Sequence, residues 1–421
     1  MTDSASPSNP RDERSAALQI IERLRSADHI AYLAGGCVRD QLLGEMPKDY
    51  DVATSAHPEQ IESIFRKTAA VGASFGVMLV RDFGPTIEVA TFRSDGPYSD
   101  ARRPDHVEFS TPELDAQRRD FTINALFLDP TPEGDQIIDF VNGQVDIEHK
   151  VLRAVGDPHH RLQEDHLRAL RAVRFAARYD LTIDPSTRDA ITQHASELSG
   201  VSIERIGHEI HRMMAHPSRA RAARMIHELG LDLVIFGAGT RAESIPTLES
   251  LESGASAPVA LSAWCLDQHG ESVLDRTEAL ATKWSAKLDM SNADKDQFVA
   301  TLEIAGVLIS DWSSTSIAQR KRLAMRPHCC GAIMLVRAIN PPLAEEICLQ
   351  IEQLSSDGIG LAPEPLIDGQ VLIEMGETPG AAFKAVLDRV YDAQLMGEIS
   401  TYSEACNLAK ELFVNYTKND Q

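Results

Sequence analysis

Two aspartates, Asp49 and Asp51, are the residues whose types and spacing most directly suggest chemistry in this sequence. They flank Tyr50 in a stretch with the pattern of a β-strand, where alternate side chains point to the same face. The two carboxylates would therefore repel each other unless a cation lay between them. Because Mg²⁺ prefers one or two carboxylates together with substrate oxygens, the pair predicts an Mg²⁺ site that also holds the phosphates of a nucleotide.

A phosphate-binding turn is predicted just before this pair. The apolar run at 30–34 is expected to form a buried strand that ends at Gly35 and Gly36, and residues 38–43 have the pattern of a helix start. Glycines let the backbone approach a ligand closely, and the free N–H groups of a first helical turn attract phosphate. Arg39 would add a positive charge there.

Each of these features is common alone, and an Asp-x-Asp sequence is more often a solvated turn than a metal site. In this order, however, the Gly-Gly-x-Val-Arg-Asp…Asp-x-Asp pattern at 35–51 resembles the catalytic signature of class II nucleotidyltransferases of the polymerase-β superfamily. That group includes CCA-adding enzymes and bacterial poly(A) polymerases. The resemblance implies transfer of nucleotides to RNA, with Asp49 and Asp51 as catalytic and metal-binding residues.

Glu88 is the candidate for a third catalytic carboxylate. It is a charge in an otherwise apolar strand predicted over 86–92, a placement that costs energy unless the charge has a partner. It would attract the proton of a 3′-hydroxyl or complete the metal shell; the alternative is an exposed glutamate on an edge strand. Polymerase-β relatives carry a third carboxylate on a following strand, so the resemblance favours the catalytic role.

The segment 117–125 resembles the Arg-Arg-Asp-Phe-Thr-x-Asn-Ala motif of the same family. Arg118 and Arg119 are expected to bind triphosphate oxygens, and Asp120 to accept a hydrogen bond from a ribose 2′-hydroxyl. Asn124 completes the motif and is included among the nucleotide-binding residues. A charged helix start is the alternative interpretation of this segment.

A further motif lies in a single helix predicted from 158 to 178. Asp165 and Arg168 are three residues apart, so a surface ion pair is the default interpretation. The pair nevertheless resembles the Glu-Asp-x-x-Arg motif with which the family selects nucleotides. The nucleotide-binding candidates on this helix are Asp165, Arg168, Arg171 and Arg174.

Base edges explain how such a pair would select nucleotides. Cytosine and adenine each present an exocyclic amine beside an unprotonated ring nitrogen, whereas uracil and guanine present a carbonyl beside a ring N–H. The Asp165 carboxylate would accept from the amine and the Arg168 guanidinium would donate to the ring nitrogen. The pair would therefore accept C and A and reject U and G without a template strand.

Charge limits where RNA could bind. The net charge is −22, which argues against a nucleic-acid partner for the protein as a whole. Residues 28–150 carry 11 Lys+Arg against 22 Asp+Glu, and residues 236–421 carry 14 against 26. Residues 151–235 carry 12 against 11, and all 12 are Arg, which suits phosphate contacts. RNA is therefore expected to cross the middle of the chain.

The sequence predicts an α+β protein. An N-terminal α/β nucleotidyltransferase head with a mixed five-stranded sheet is followed by an all-helical neck, body and tail, and a turn-rich, mobile loop is expected at 95–108. The predicted boundaries are 1–28 for an N-terminal extension and helix, 29–155 for the head, 156–235 for the base-reading neck, 236–345 for the body and 346–421 for a tRNA-binding tail.

No apolar run has the length of a membrane span, and the polar first residues are not typical of a signal peptide. Six cysteines without paired spacing favour free thiols and a cytoplasmic location. We expect tRNA, CTP and ATP as partners, no membrane and no stable protein partner.

The family resemblance implies addition of C and A to the 3′ end of tRNA with release of pyrophosphate. An A-adding or CC-adding specialist and a poly(A) polymerase remain open. A nucleotide-sugar glycosyltransferase would share Asp-x-Asp but leave the arginine motifs unexplained. A non-catalytic RNA-binding descendant would be expected to have lost a carboxylate.

Overall fold

A mixed sheet of seven strands organises the first part of the chain in a computed structural model. The structure describes residues 10–72, 75–96, 106–237, 244–270, 273–274 and 277–419, so most of the loop predicted at 95–108 lies outside the described residues. The strands are β1 (Ala31–Ala34), β2 (Asp51–Thr54), β3 (Thr68–Gly72), β4 (Val77–Val80), β5 (Ile87–Thr91), β6 (Arg93–Asp95), β7 (Val107–Phe109), β8 (Phe127–Thr131), β9 (Gly134–Ile138), β10 (Val151–Leu152) and β11 (Thr182–Ile183).

The order of the large sheet is β3-β4-β5-β2-β1-β8-β9. Strands β2 and β5 run parallel, and the other neighbours are antiparallel. The predicted α+β class is confirmed, but the sheet has seven strands and not five. In the outermost strands, β3 and β9, every described side chain is exposed or only partly buried, so neither shows the buried alternation by which strands are recognised in a sequence.

The inner strands supply the core of this sheet. Leu33, Val52 and Val89 lie side by side on β1, β2 and β5 and are at most 1% exposed. The aromatic rings of Phe92 and Phe127 pack edge to face at 5.7 Å. This rigid centre fixes the first residues of β2 and β5, where two of the predicted catalytic carboxylates lie.

Helices pack around the sheet and continue after it. The helix predicted from 158 to 178 is in fact two helices, because Asp165 has an extended backbone (φ −155°, ψ 103°) and its side chain accepts a hydrogen bond from the Leu167 N–H at 3.1 Å. That local bond replaces a helical one. The helices are α1 (Pro10–Arg25), α2 (Gly36–Leu42), α3 (Pro58–Ile64), α4 (Pro112–Gln117), α5 (Gly143–Glu148), α6 (Pro158–Glu164), α7 (Arg168–Arg178), α8 (Pro185–Gln193), α9 (Ile203–Met214), α10 (Arg219–Glu228) and α11 (Leu231–Phe236).

The segment predicted as an all-helical neck also contains a strand. β11 pairs in parallel with β10, with Val151 opposite Thr182 and Leu152 opposite Ile183. The prediction of helices alone is therefore wrong here. A two-residue strand is too short to show any periodicity in the sequence, so β11 is recognised only by its hydrogen-bonded pairing with β10.

The chain divides into two units, Met1–Met213 with Arg221–Gly239 and Met214–Ala220 with Thr240–Gln421. The described part of the second unit is built of helices, with Trp264 packed edge to face on Trp284 at 5.9 Å. Among the described helices, none is both long and apolar enough to cross a membrane. The helices of the second unit are α12 (Pro246–Ser250), α13 (Ala257–His269), α14 (Thr277–Leu288), α15 (Asn292–Ser310), α16 (Ile317–Ala324), α17 (Cys329–Ile339), α18 (Pro341–Ser356), α19 (Gly369–Glu374), α20 (Ala381–Met396) and α21 (Tyr402–Asn419).

Candidate active site

Three carboxylates meet at the start of β2. The parallel register that pairs Val52 with Val89 places Glu88 of β5 beside Asp51. The pKa of Asp51 is raised to about 6, first by burial and then by the negative charges of Glu88 and Asp49, while Arg119 opposes the rise. The structure thus brings the three predicted carboxylates together. Strand β5 lies between β4 and β2, so Glu88 does not lie on an edge strand.

The donor set suits a hard divalent cation, because it consists of carboxylate oxygens whose mutual repulsion a cation would relieve. Among the described residues, no group of three or more His, Cys, Asp or Glu side chains is arranged to hold a metal ion. A cation at Asp49 and Asp51 would therefore need further oxygens from water or substrate. That dependence is typical of Mg²⁺ in nucleotide sites.

The glycine turn lies between β1 and α2, next to these carboxylates. Gly35 has φ +70°, a conformation that side chains other than glycine rarely adopt. A Cβ atom at Gly35 would lie 2.9 Å from the Arg119 Nη1 atom. The turn therefore needs glycine for two reasons, its backbone conformation and the close approach of a guanidinium.

A cavity of about 550 Å³ joins the glycine turn to the helices after the sheet. Its volume is in the range of small-molecule sites. The structure brings together in it all eleven predicted nucleotide-binding residues and one of the three carboxylates, Asp51. The lining residues are Gly35, Gly36, Arg39, Asp51, Arg118, Arg119, Asp120, Asn124, Asp165, Arg168, Arg171, Arg174 and Phe175.

Asp115 of α4, which the sequence analysis missed, holds two of the cavity's arginines. Its buried carboxylate accepts from Arg118 Nη2 at 2.6 Å and from Arg119 Nη2 at 3.0 Å. Burial alone would raise the pKa of Asp115, but the two guanidiniums hold it below the usual value. The signal was present in the sequence, since an aspartate three and four residues before two arginines reaches both on one helical face.

Asp120 is bonded within the protein. Its carboxylate accepts from Arg171 Nε at 2.9 Å, from Arg171 Nη2 at 2.7 Å and from Asn124 Nδ2 at 3.0 Å. Although burial would raise the pKa of Asp120, Arg171 and Asn124 hold it at about 2. The predicted ribose contact of Asp120 stays a prediction, and in this structure the carboxylate ties the sheet-bearing part of the chain to α7.

Arg39 is buried inside a network and does not extend freely into the cavity. Its guanidinium donates to Asp40 Oδ1 at 2.6 Å, to the Tyr179 hydroxyl at 2.7 Å and to Asn124 Oδ1 at 2.5 Å. Its charge is therefore largely neutralised by Asp40. Arg39 fixes the start of α2 against α7, which positions the glycine turn.

Asp165 and Arg168 both line the cavity, and each is held by a partner from elsewhere. Asp165 Oδ2 accepts from Arg205 Nη2 of α9 at 2.7 Å. Arg168 Nη1 donates to the backbone carbonyl of Arg161 at 2.6 Å and to the Glu164 carboxylate. Because the backbone is extended at Asp165, between α6 and α7, the side chains of Asp165 and Arg168 both line the cavity. The role of Arg205 could not be read from the sequence, because it lies forty residues from its partner.

An aromatic ring backs the remaining arginines. Phe175 is 5% exposed, and the guanidiniums of Arg171 and Arg174 lie 5.3 Å and 4.2 Å from its ring centroid. Glu209 of α9 accepts from Arg174 Nε at 2.5 Å. These contacts fix the arginines of α7 in one orientation, so the cavity wall is pre-arranged for an anionic ligand.

Carboxylates on neighbouring parallel strands, a glycine turn and an arginine-lined cavity define a nucleotidyltransferase with a head of the polymerase-β type. Residues 31–153 match the family described as "Poly A polymerase head domain", and residues 180–237 match "Probable RNA and SrmB- binding site of polymerase A". The CCA-adding enzyme of Limosilactobacillus reuteri strain DSM 20016 is 32% identical over 398 residues, which cover 91% of this chain and 93% of that protein. The chain belongs to the family of CCA-adding enzymes.

Two further comparisons agree with this membership. The CCA-adding enzyme of Lacticaseibacillus paracasei is 45% identical over 201 residues, a match that spans 47% of this chain and only half, 50%, of that relative. The crystal structure of the Bacillus stearothermophilus CCA-adding enzyme in complex with CTP superposes with a TM-score of 0.74 and 28% identity, covering 98% of this chain and 99% of that one. Nucleotidyltransferases of this family generally use divalent metal ions.

Proposed function

We propose that this protein adds C and A from CTP and ATP to the 3′ end of tRNA, which builds or repairs the CCA end and releases pyrophosphate. One observation carries the proposal. A single cavity combines Asp51 and Arg119, which suit phosphates and metal, with Asp165 and Arg168, which suit the edges of C and A. The solved relative that superposes over nearly the whole chain holds CTP.

In the proposed reaction, the 3′-hydroxyl oxygen of the RNA forms a bond to the α-phosphorus, and the bond from that phosphorus to the leaving pyrophosphate breaks. Mg²⁺ held by Asp49 and Asp51 would activate the hydroxyl and neutralise charge on the phosphates. Arg118 and Arg119 bind the triphosphate oxygens. Glu88 lies beside Asp51 and attracts the hydroxyl proton, which passes on to solvent.

Base selection is assigned to Asp165 and Arg168. Their partners, Arg205 and Glu164, hold them in place before the nucleotide arrives, so little ordering is needed on binding. Because C and A both offer an amine to the Asp165 carboxylate and a ring nitrogen to the Arg168 guanidinium, the same pair serves both nucleotides.

All six cysteines are free thiols, which supports a cytoplasmic location.

Metal affinity is expected to depend on pH through Asp51. Its pKa is raised to about 6, and a proton competes with the metal, so each pH unit below 6 should weaken apparent Mg²⁺ affinity about tenfold. Above pH 6 the affinity should level off. Calorimetric titration of Mg²⁺ with a non-hydrolysable CTP analogue at pH 5, 6 and 7.5 measures this. An affinity that is flat from pH 5 to 7.5 would contradict the role of Asp51.

Asp115→Asn is expected to raise the KM for CTP and ATP about tenfold with a smaller change in kcat, because Arg118 and Arg119 lose the carboxylate that aligns them. Steady-state extension of tRNA measures both constants. Glu113→Gln, an exposed acid of the same helix, is the control and should behave as wild type. A loss confined to kcat would show that Asp115 does not act through nucleotide binding.

The activity itself is tested with tRNA lacking its last one, two or three nucleotides, incubated with each nucleoside triphosphate and resolved on a sequencing gel. We expect CTP to be used for the first two additions and ATP for the third, after which extension stops. Extension by A alone or by C alone would indicate a specialist. Continued addition of A would indicate a poly(A) polymerase.

A further inference from the structure

A second cavity, of about 310 Å³, lies in the first unit and is formed by β11, α8 and α10. Every residue that lines it falls within 180–237, the segment matched as a probable RNA and SrmB-binding site. That match spans a whole helical region and assigns no ligand to any residue. The cavity has a lining of its own, since it shares no lining residue with the nucleotide cavity.

Positive charges outnumber negative charges among the residues that line this cavity. Its charged lining residues are three arginines, Arg188, Arg221 and Arg224, against one carboxylate, Glu228. Arg221 and Arg224 are three residues apart on α10 and so lie on one helical face, while Arg188 comes from α8. This excess of cations occurs in a protein whose net charge is −22.

Two ion pairs beside the cavity, those of Arg188 and Arg221, are exposed to solvent. Arg188 Nη2 lies 3.4 Å from Glu228 Oε2, with both side chains 53% exposed, so the pair contributes little stability. Arg221 pairs with Asp180, whose side chain is 69% exposed, and donates to the backbone carbonyl of Leu181 at 2.8 Å. The carbonyl fixes the guanidinium, and an incoming anion can replace the solvated carboxylates.

The rest of the lining is apolar and defines what size of group fits. Leu181 and Leu229 are at most 2% exposed and form an apolar wall beside the arginines, together with the buried Ile183 and the half-buried Met225. Such a wall excludes water from one side and strengthens the attraction between guanidinium and anion. The volume suits one phosphodiester with its ribose, and is small for a folded protein segment.

We propose that this cavity binds a backbone phosphate of tRNA, held by Arg188, Arg221 and Arg224. RNA is favoured over a protein partner because planar guanidiniums bind phosphate through two parallel hydrogen bonds, and because a single discrete depression matches one phosphate. The contact positions the tRNA and does not read its sequence. The inference rests on the proposed function, since it assumes that tRNA is the substrate.

The test uses the full-length protein with the double substitution Arg188→Ala and Arg224→Ala. Binding of tRNA lacking its terminal A is followed by fluorescence anisotropy at several salt concentrations. We expect Kd to rise about tenfold or more and the slope of log affinity against log salt to fall by about one, because one phosphate contact is lost. The KM for CTP at saturating tRNA should not change. Arg66→Ala, an exposed arginine of the head, is the control and should leave both quantities unchanged.

Single variants at position 188 and the activity of the wild-type protein distinguish failure of this inference from failure of the proposed function. Arg188→Lys retains the charge but not the paired N–H donors, so it should recover part of the affinity lost in Arg188→Ala. If the double variant unfolds, these two single variants decide whether the side chain at position 188 contributes to tRNA binding. Unchanged Kd and salt slope in folded variants would overturn the inference. That result would favour a protein, and not RNA, as the ligand of residues 180–237. If wild-type protein fails to extend any tRNA, the proposed function fails instead.

Discussion

Asp51→Asn is expected to lower the rate of nucleotide addition about a thousandfold, which corresponds to about 4 kcal/mol of lost transition-state stabilisation. Asparagine has the same shape, so the packing at the start of β2 is kept. It lacks the charge that would hold a divalent metal between the RNA hydroxyl and the triphosphate. Single-turnover extension of tRNA under saturating CTP measures the loss. A rate within tenfold of wild type would contradict the assignment of Asp51.

The same substitution should stabilise the metal-free protein. Because the pKa of Asp51 is raised from 3.8 to about 6, the folded state binds more protons than the unfolded state between those values, and stability falls as pH rises across that window. Above pH 6 the ionised carboxylate costs up to about 3 kcal/mol. Thermal unfolding in a chelator at pH 7.5 should show a higher Tm for Asp51→Asn. Asp189→Asn, at an exposed position on α8, is the matched control.

Asp165→Ala is expected to keep catalysis but to lose at least about a hundredfold of the preference for CTP over UTP. In wild type, the carboxylate would face the carbonyl of uracil, acceptor against acceptor, whereas alanine removes that repulsion. Competition between labelled CTP and UTP for tRNA lacking its last two nucleotides measures the ratio. An unchanged nucleotide preference would refute the base-reading role of Asp165.

A matched variant separates base reading from folding. Arg205→Ala leaves Asp165 in place but removes the 2.7 Å bond that orients it, so part of the discrimination should be lost while Tm falls little. Arg212→Ala, an exposed arginine on the same helix, should leave the preference intact. Equal losses in the Arg205 and Arg212 variants would show that α9 acts through general stability and not through Asp165.

The sequence by itself determined the chemistry. Asp49 and Asp51, the Gly35-Gly36 turn and the arginine pair before Asp120 are short, local patterns. Their residue types and spacing set which groups can bind metal and phosphate, and that information lies within a few residues. The α+β class follows in the same way, because strand and helix periodicity are local properties.

Only the tertiary structure decided how these groups meet. The bond between Asp120 and Arg171 joins residues 51 positions apart, and the bond between Asp165 and Arg205 joins residues 40 apart. No local pattern encodes such partners, since they depend on which faces of the sheet and helices pack together. The break at Asp165 was missed because a side chain replaces a helical hydrogen bond, and β11 was missed because its partner, β10, is distant in the chain. The prediction of five strands did not specify β3 and β9, which pair with the adjacent strands β4 and β8 but show no buried alternation.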